Sequence, residues 1–238
     1  MKILIDADPI CYRAVYSKTV TNPQELYDKI DEIFNQILEA TNPYATEQDY
    51  VAFLTGKGNF RYEVSDIYKA NRPKDKPTLL EPSREYIIEK YNAVVSSGQE
   101  ADDDIATAAH LLYPDVIVVS IDKDLRTVPC NLYNPNRDTW EIIDYNAAMM
   151  NFYTQLLVGD KVDNIIGVNK IGPVTAAKIL DGSKGDYDMW CRCLEAYGGD
   201  AERATMNGRL LWLRRYEGEV WQPPKGTQWQ ERLDFGQD

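Results

Sequence analysis

GDKVDNIIGVNKIGPVTAAKIL, residues 159–180, combines two kinds of chemistry in one run. Asp160 and Asp163 stand three apart, and on a helical turn such residues share a face with Cβ atoms about 5–6 Å apart. Carboxylates that close repel unless a cation lies between them. Directly after them come Gly167-Val168-Asn169-Lys170-Ile171-Gly172-Pro173. Two glycines and a proline predict a tight turn, and Pro173 suits the first turn of a following helix. Val174, Ala177 and Leu180 would form the inner side of that helix. A glycine hairpin between helices exposes backbone N–H groups that can hold a phosphate. The stretch predicts a metal site joined to a phosphate-binding turn.

Three more acid groups lie upstream. Residues 2–5 (Lys-Ile-Leu-Ile) read as a short buried strand, followed by Asp6-Ala7-Asp8. If that strand persists, Asp6 and Asp8 alternate onto one face. Leu26, Ile30, Ile33, Phe34, Ile37 and Leu38 have helical spacing over 24–40, and 50–54 (Tyr-Val-Ala-Phe-Leu) read as a second strand. A helix over 83–92 and a third strand at Ala93-Val94-Val95 lead to Gly98-Gln99-Glu100-Ala101-Asp102-Asp103-Asp104, which opens an apolar helix from Ile105 to Leu112. Capping and the macrodipole account for one or two acids in a first turn, not four in five positions. Residues 115–121 are a fourth strand, strongly apolar, ending in Asp122-Lys123-Asp124. Residues 129–135 read as a loop, 139–143 as an edge strand and 145–158 as an amphipathic helix. Helices follow at 187–197 and 201–216, then a Pro/Gln/Gly-rich tail. No internal repeat is present.

Most of these acids end or closely follow apolar strands, and in an α/β sheet such ends converge on one crevice. Carboxylates at that density need divalent metal to stay ionised. With His110 the sole histidine and no C-x-x-C among Cys11, Cys130, Cys191 and Cys193, a His triad and a zinc site are disfavoured. All-oxygen ligands favour Mg²⁺ or Mn²⁺, and two such ions can support phosphodiester hydrolysis.

The formal charge of −12 does not exclude nucleic acid, because the placement of charge matters more than its sum. Residues 56–76 are the basic exception. They carry Lys57, Arg61, Lys69, Arg72, Lys74 and Lys76, interleaved with Phe60, Tyr62 and Tyr68. Cations neutralise phosphates and aromatic faces stack on bases, so Lys57, Arg61 and Tyr68 are candidate DNA contacts. The length of 238 residues and 44% hydrophobic content fit one large domain or a domain with a small lobe. No run is long enough to span a bilayer, and the N-terminus lacks a signal-peptide pattern. A cytoplasmic protein with reduced thiols is expected.

YKANRP (68–73), EADD (100–103), SIDKDL (120–125) and the 159–180 stretch occur in the order seen in 5′-nucleases, and the chain resembles that family over residues 1 to about 180. The family includes flap endonucleases, the 5′-3′ exonuclease domain of bacterial DNA polymerase I and phage 5′-3′ exonucleases. The compact size suggests a phage-type member acting in the host cytoplasm.

The resemblance implies an α/β, PIN-like fold: a mostly parallel sheet flanked by helices, with a helix–three-turn–helix motif and a helical arch. The expected organisation is a catalytic domain over 1–158 with the arch at about 56–92, a DNA-binding region over 159–216, and an extended tail over 217–238. By position, Asp6, Glu100, Asp102 and Asp103 would hold a first ion. Asp122 and Asp124 would follow, and Asp160 and Asp163 would complete the second site. Lys69 and Arg72 would act on the scissile phosphate. Gly167, Lys170, Gly172, Thr175 and Lys178 would grip duplex backbone, with K⁺ bound there. DNA with 5′ ends, flaps or nicks is the implied substrate, with RNA–DNA hybrids and replication proteins as further partners and a monomer as the default.

One departure stands out. The family pattern places an aspartate after the second strand, where this chain has Thr55-Gly56. Asp8 or water could fill that place. The departure also motivates a rival reading, a structure-specific DNA-binding protein without catalysis. A PIN-type ribonuclease is a third, which leaves 159–180 without a purpose.

Overall fold

The computed structural model describes residues 1–72 and 75–226. Lys74 and tail residues 227–238, which figured in the expectations above, lie outside the described residues. The chain divides into two compact units. Among the described residues, the first comprises 1–60, 75–144 and 213–217, and the second comprises 61–72, 145–212 and 218–226. The expected break at 158/159 therefore moves to 144/145. The arch stretch is shared: 61–72 belong to the second unit, with Tyr68 in its core, and the rest to the first.

The first unit is built on a six-stranded sheet. In chain order its strands are β1 (Lys2–Asp6), β2 (Tyr50–Leu54), β3 (Val94–Val95), β4 (Val116–Val119), β5 (Cys130–Asn134) and β6 (Thr139–Ile143). Their spatial order is β3-β2-β1-β4-β5-β6, parallel throughout except for β5–β6. Ile3, Leu4 and Ile5 of β1 and all of β4 are buried, as expected of parallel strands covered on both faces. Helices α1 (Asp8–Val15), α2 (Pro23–Thr41), α4 (Leu80–Tyr91) and α5 (Ala101–Leu112) flank it. Asn22 caps α2, accepting the Glu25 N–H at 3.1 Å, and α2 buries Leu26, Ile30, Ile33, Phe34 and Ile37. Strand order reverses between β1 and β4, and ligands bind at the carboxyl ends of strands around such a reversal.

Two sequence expectations fail here. Residues 129–135 contain β5, hidden by the two flanking prolines and by Asn131 and Asn134; pairing on both sides buries Cys130, Leu132 and Tyr133. β1 stops at Asp6 and α1 begins at Asp8, so the two acids do not share a strand face.

The second unit holds the short helix α3 (Arg61–Val64), α6 (Tyr145–Val158), the antiparallel ribbon β7 (Gly159–Asp160) and β8 (Ile165–Ile166), then α7 (Pro173–Leu180), α8 (Asp186–Ala196) and α9 (Ala201–Leu211). Phe152, Tyr153, Leu156, Leu157, Trp190 and Trp221 lead its core. Each such side chain contributes on the order of 1.5–3 kcal/mol by leaving water. Trp221 packs the described part of the tail against Phe152 and Trp190.

Pro173 does open α7, but the helix buries Ala176 and Leu180 and leaves Val174 72% exposed. Asp160 and Asp163 lie on the ribbon and its turn rather than on a helix. α9 ends at Leu211, not 216, leaving Arg214 and Arg215 beyond it. Its terminal carbonyls explain the stop: Arg61, only 1% exposed, donates through Nε to Leu210 O and through Nη2 to Trp212 O, both at 2.8 Å.

Candidate functional site

In the first unit, β1 and β4 end side by side, with Ile5 opposite Val119. The Ser120 hydroxyl donates to Asp6 Oδ2 at 2.7 Å, and its oxygen accepts the Asp122 N–H at 2.9 Å. Asp122 Oδ1 accepts the Asp124 N–H at 2.9 Å, which curls the loop and starts a 3-10 turn at Asp124–Thr127. Short-range turn chemistry thus presents these two acids beside Asp6.

The electrostatics record the crowding. Burial pushes the Asp6 carboxyl up to about 8, against the Ser120 hydrogen bond and with the charges of Asp8 and Asp122 adding to it. Asp102 is raised well above the usual range, first by desolvation and then by Asp6, Asp122, Glu100 and Asp124. Asp6, Glu100, Asp102, Asp122 and Asp124 therefore share one field. Without a cation Asp6 and Asp102 relieve the repulsion by holding protons.

Among the described residues, no three His, Cys, Asp or Glu side chains form a preformed cage for a metal. Mg²⁺ does not need one, since it keeps several waters and is held by one or two carboxylates. Mutual repulsion and all-oxygen chemistry fit a hard divalent ion.

Asp103 departs from its expected role. It is fully buried, Oδ2 accepts the Glu100 N–H and Oδ1 the Arg214 N–H, both at 3.2 Å. Its oxygens accept backbone N–H groups, which positions the α5 turn. Asp8 does not fill the missing place either. Its carboxylate accepts Arg84 Nη1 and the Thr55 N–H, the latter at 2.8 Å. Arg84 also reaches the Thr55 carbonyl, and Thr55 Oγ1 accepts the Ala101 N–H at 3.1 Å. Thr55 stands where the acid was expected and ties α1, α4 and α5 together. Gly56 has no room for a side chain, since a Cβ would lie 2.0 Å from Ser96 O.

In the second unit, Asp163 gathers donors. Tyr68 donates its hydroxyl at 3.0 Å, Arg72 Nη2 lies at 2.6 Å and Lys69 Nζ at 3.5 Å. Asp160 Oδ1 accepts the N–H groups of Val162 (2.7 Å) and Asp163 (3.2 Å). The structure thus brings Asp160, Asp163, Lys69 and Arg72 together.

It corrects other candidates. Arg61 is buried as the cap of α9, and Tyr68 is 3% exposed, so neither presents a face to DNA. Gly167 packs instead of gripping: a Cβ there would lie 2.3 Å from the Val158 carbonyl carbon, and one on Gly159 (φ +75°) 2.3 Å from Gly167 N. Gly172, at the start of α7, faces open space, and Lys57, Lys170, Thr175 and Lys178 are exposed. Sequence reasoning missed Arg84 and the exposed, stacked pair Tyr12, in α1, and Tyr16, just past its end, with ring centroids 6.3 Å apart. Helical spacing of four between the two tyrosines was the available signal.

Residues 1–155 match the family model described as 5′-3′ exonuclease, N-terminal resolvase-like domain. This chain belongs to the 5′-3′ exonuclease family. The 5′-3′ exonuclease of Buchnera aphidicola is 31% identical over 201 residues, covering 75% of this chain and 69% of that relative. DNA polymerase I of Rhizobium leguminosarum is 35% identical over 159 residues, 58% of this chain but only 15% of the polymerase. Among solved structures, the bacteriophage T5 flap endonuclease in a pseudo-enzyme–product complex with DNA and metal ions superposes with a TM-score of 0.70. It is 18% identical, over 90% of this chain and 89% of that one, and shows that the two share a fold. The expected PIN-like 5′-nuclease architecture is therefore the observed one. Among the described residues, no helix of this exonuclease-family chain is long and apolar enough to cross a membrane.

Proposed function

We propose that the chain is a divalent-metal-dependent 5′-3′ exonuclease and flap endonuclease that hydrolyses phosphodiester bonds near 5′ ends of DNA. The observation that carries this reading is the hydrogen-bonded run Asp6–Ser120–Asp122–Asp124 at the ends of β1 and β4, with Glu100 and Asp102 within its electrostatic reach. Asp6, Glu100, Asp102, Asp122 and Asp124 would hold metal in the first unit, and Asp160 and Asp163 in the second. Mg²⁺ or Mn²⁺ ions supply an activated water and a counter-charge for the leaving oxygen when bound.

The chain's own residues do the rest. Lys69 and Arg72, steered by Asp163, present cations to the scissile phosphate. Their benefit is greatest where charge develops in the transition state. Exposed Lys170, Thr175 and Lys178, with the open backbone at Gly172, would meet the duplex phosphates, and K⁺ bound at that turn belongs to the same reading. Exposed Lys57 adds non-specific attraction. Likeness to part of DNA polymerase I supports a place in replication and primer removal, including RNA of RNA–DNA hybrids. A cytoplasmic monomer is part of the same reading.

The test is a 5′-labelled flap on a nicked duplex, incubated with Mg²⁺, Mn²⁺ or EDTA, with product lengths measured. Metal-dependent products are expected, and Asp122→Asn should abolish them while leaving the circular dichroism unchanged. Unaltered cleavage by that variant sinks the proposal. The engaged Thr55 hydroxyl favours one alternative, a DNA-binding protein without catalysis, which would bind the flap tightly and release nothing. Preference for single-stranded RNA would indicate a PIN-type ribonuclease instead.

A further inference from the structure

The segment 213–217 lies beyond α9 yet belongs to the first unit. Its contacts fall on the first turns of α5. The Arg214 N–H donates to Asp103 Oδ1 at 3.2 Å, and the Arg214 carbonyl accepts the Thr107 hydroxyl at 3.0 Å. Arg214 Nη1 donates to Gln99 Oε1 at 2.6 Å, and its guanidinium carbon lies 3.7 Å from the Phe60 ring centroid. Gln99 in turn donates its amide to Asp104, and Phe60 N–H donates to Gly98 O at 3.0 Å. These partners bracket Glu100 and Asp102 on both sides.

We propose that Arg214 is a positioning residue for the α5 acids Glu100 and Asp102. In this role it acts through Gln99 and Asp103, not on metal or substrate. The planar guanidinium both stacks on Phe60 and hydrogen-bonds Gln99, a combination that lysine cannot reproduce. So anchored, the segment brings its backbone N–H to Asp103, whose other oxygen holds the Glu100 N–H at 3.2 Å. The acid turn is thereby held from behind, in the way outer-shell partners orient metal ligands. This inference rests on the metal-binding reading above.

The experiment measures Mn²⁺ affinity by electron paramagnetic resonance on the full chain, without DNA. Wild type, Arg214→Met, Arg214→Lys, Gln99→Leu and the Arg214→Met/Gln99→Leu double variant are compared. Arg214→Met is expected to weaken Mn²⁺ binding about 10-fold, with Arg214→Lys between it and wild type. The double variant should be no worse than the weaker single one, because the two side chains act through one bond. Ile33→Ala, a core change remote from these contacts, is the control: it lowers the melting temperature without moving the Mn²⁺ affinity. Wild-type affinity in Arg214→Met and Arg214→Lys, or additive losses in the double variant, overturns the proposal. Should Arg214→Met not fold, Arg214→Lys and Gln99→Leu decide the matter alone. A wild-type chain that binds no Mn²⁺ defeats instead the metal reading on which the inference stands.

Discussion

Arg72 Nη2 lies 2.6 Å from Asp163 Oδ1, while the other oxygen of that carboxylate takes the Tyr68 hydroxyl and faces Lys69. One acid thus organises a phenol and two cations, and its charge subtracts from theirs as an incoming phosphate would feel them. Asp163→Asn should separate the two effects. DNA binding in EDTA is expected to tighten at low salt, with the slope of log affinity on log salt steepening by about one, while cleavage is lost. Anisotropy titrations at several salt concentrations check this; weaker binding at low salt refutes it.

Arg61 reads as a DNA contact in sequence and is a buried strut in the fold. Its removal leaves the carbonyls of Leu210, in α9, and Trp212, just past it, without this donor. Arg61→Ala is expected to cost about 2–6 kcal/mol, at roughly 1–3 kcal/mol for each of the two buried groups left unsatisfied. Urea unfolding followed by tryptophan fluorescence measures it. Lys57→Ala, on an exposed side chain, should instead leave stability unchanged and flatten the salt dependence of DNA binding. A stable Arg61→Ala chain with weakened DNA binding would reverse the assignment.

Two glycines of one turn should behave oppositely. Gly167→Ala drives a methyl to within 2.3 Å of the Val158 carbonyl carbon, so a loss of about 1–3 kcal/mol is expected. Gly172→Ala meets nothing within 4 Å and has a φ of −107°, which any residue adopts. Its stability should hold while its affinity for duplex DNA falls. Thermal melts and gel-shift titrations of the two variants, side by side, decide it.

The Asp6 carboxyl links stability to pH and metal. Its folded value, about 8, lies above its ordinary 3.8, so between those values the folded chain holds a proton that the unfolded chain has lost. Stability from this group is therefore full below about pH 4 and is lost as pH rises toward about 8. Metal-free melting temperatures should fall over that interval, and Asp6→Asn should flatten the fall. Added Mg²⁺ should raise the melting temperature most at the alkaline end, with proton release on binding. A metal-free chain whose stability is no more pH-dependent than Asp6→Asn excludes this account.

The strands and helices of the first unit were largely legible because β1 and β4 are continuous apolar runs and α2 repeats its apolar residues at helical spacing. β5 was not, because its identity comes from being paired on both sides rather than from its own composition. The acids of the site were legible as clusters, but their separate duties were not. Asp102 and Asp103 are adjacent in sequence, yet one faces four carboxylates and the other two backbone N–H groups. Such assignments depend on partners such as Arg214, more than a hundred residues away, and no local pattern encodes them. Arg61 and Tyr68 misled for a related reason. A cation and an aromatic look the same in sequence whether they wait for a phosphate or satisfy the protein's own carbonyls and carboxylates.

The first unit is sewn from three separate lengths of chain, and the last of them, 213–217, is made after the whole of α9. A ribosome delivering this protein at about 5–20 residues per second completes the helices of the second unit before the first has its final stitch. A nascent chain can carry every acid of the proposed centre while Asp103 still waits for the Arg214 N–H. The order of synthesis thus acts as a timer, keeping that last constraint off the acid turn until almost all of the described chain has emerged.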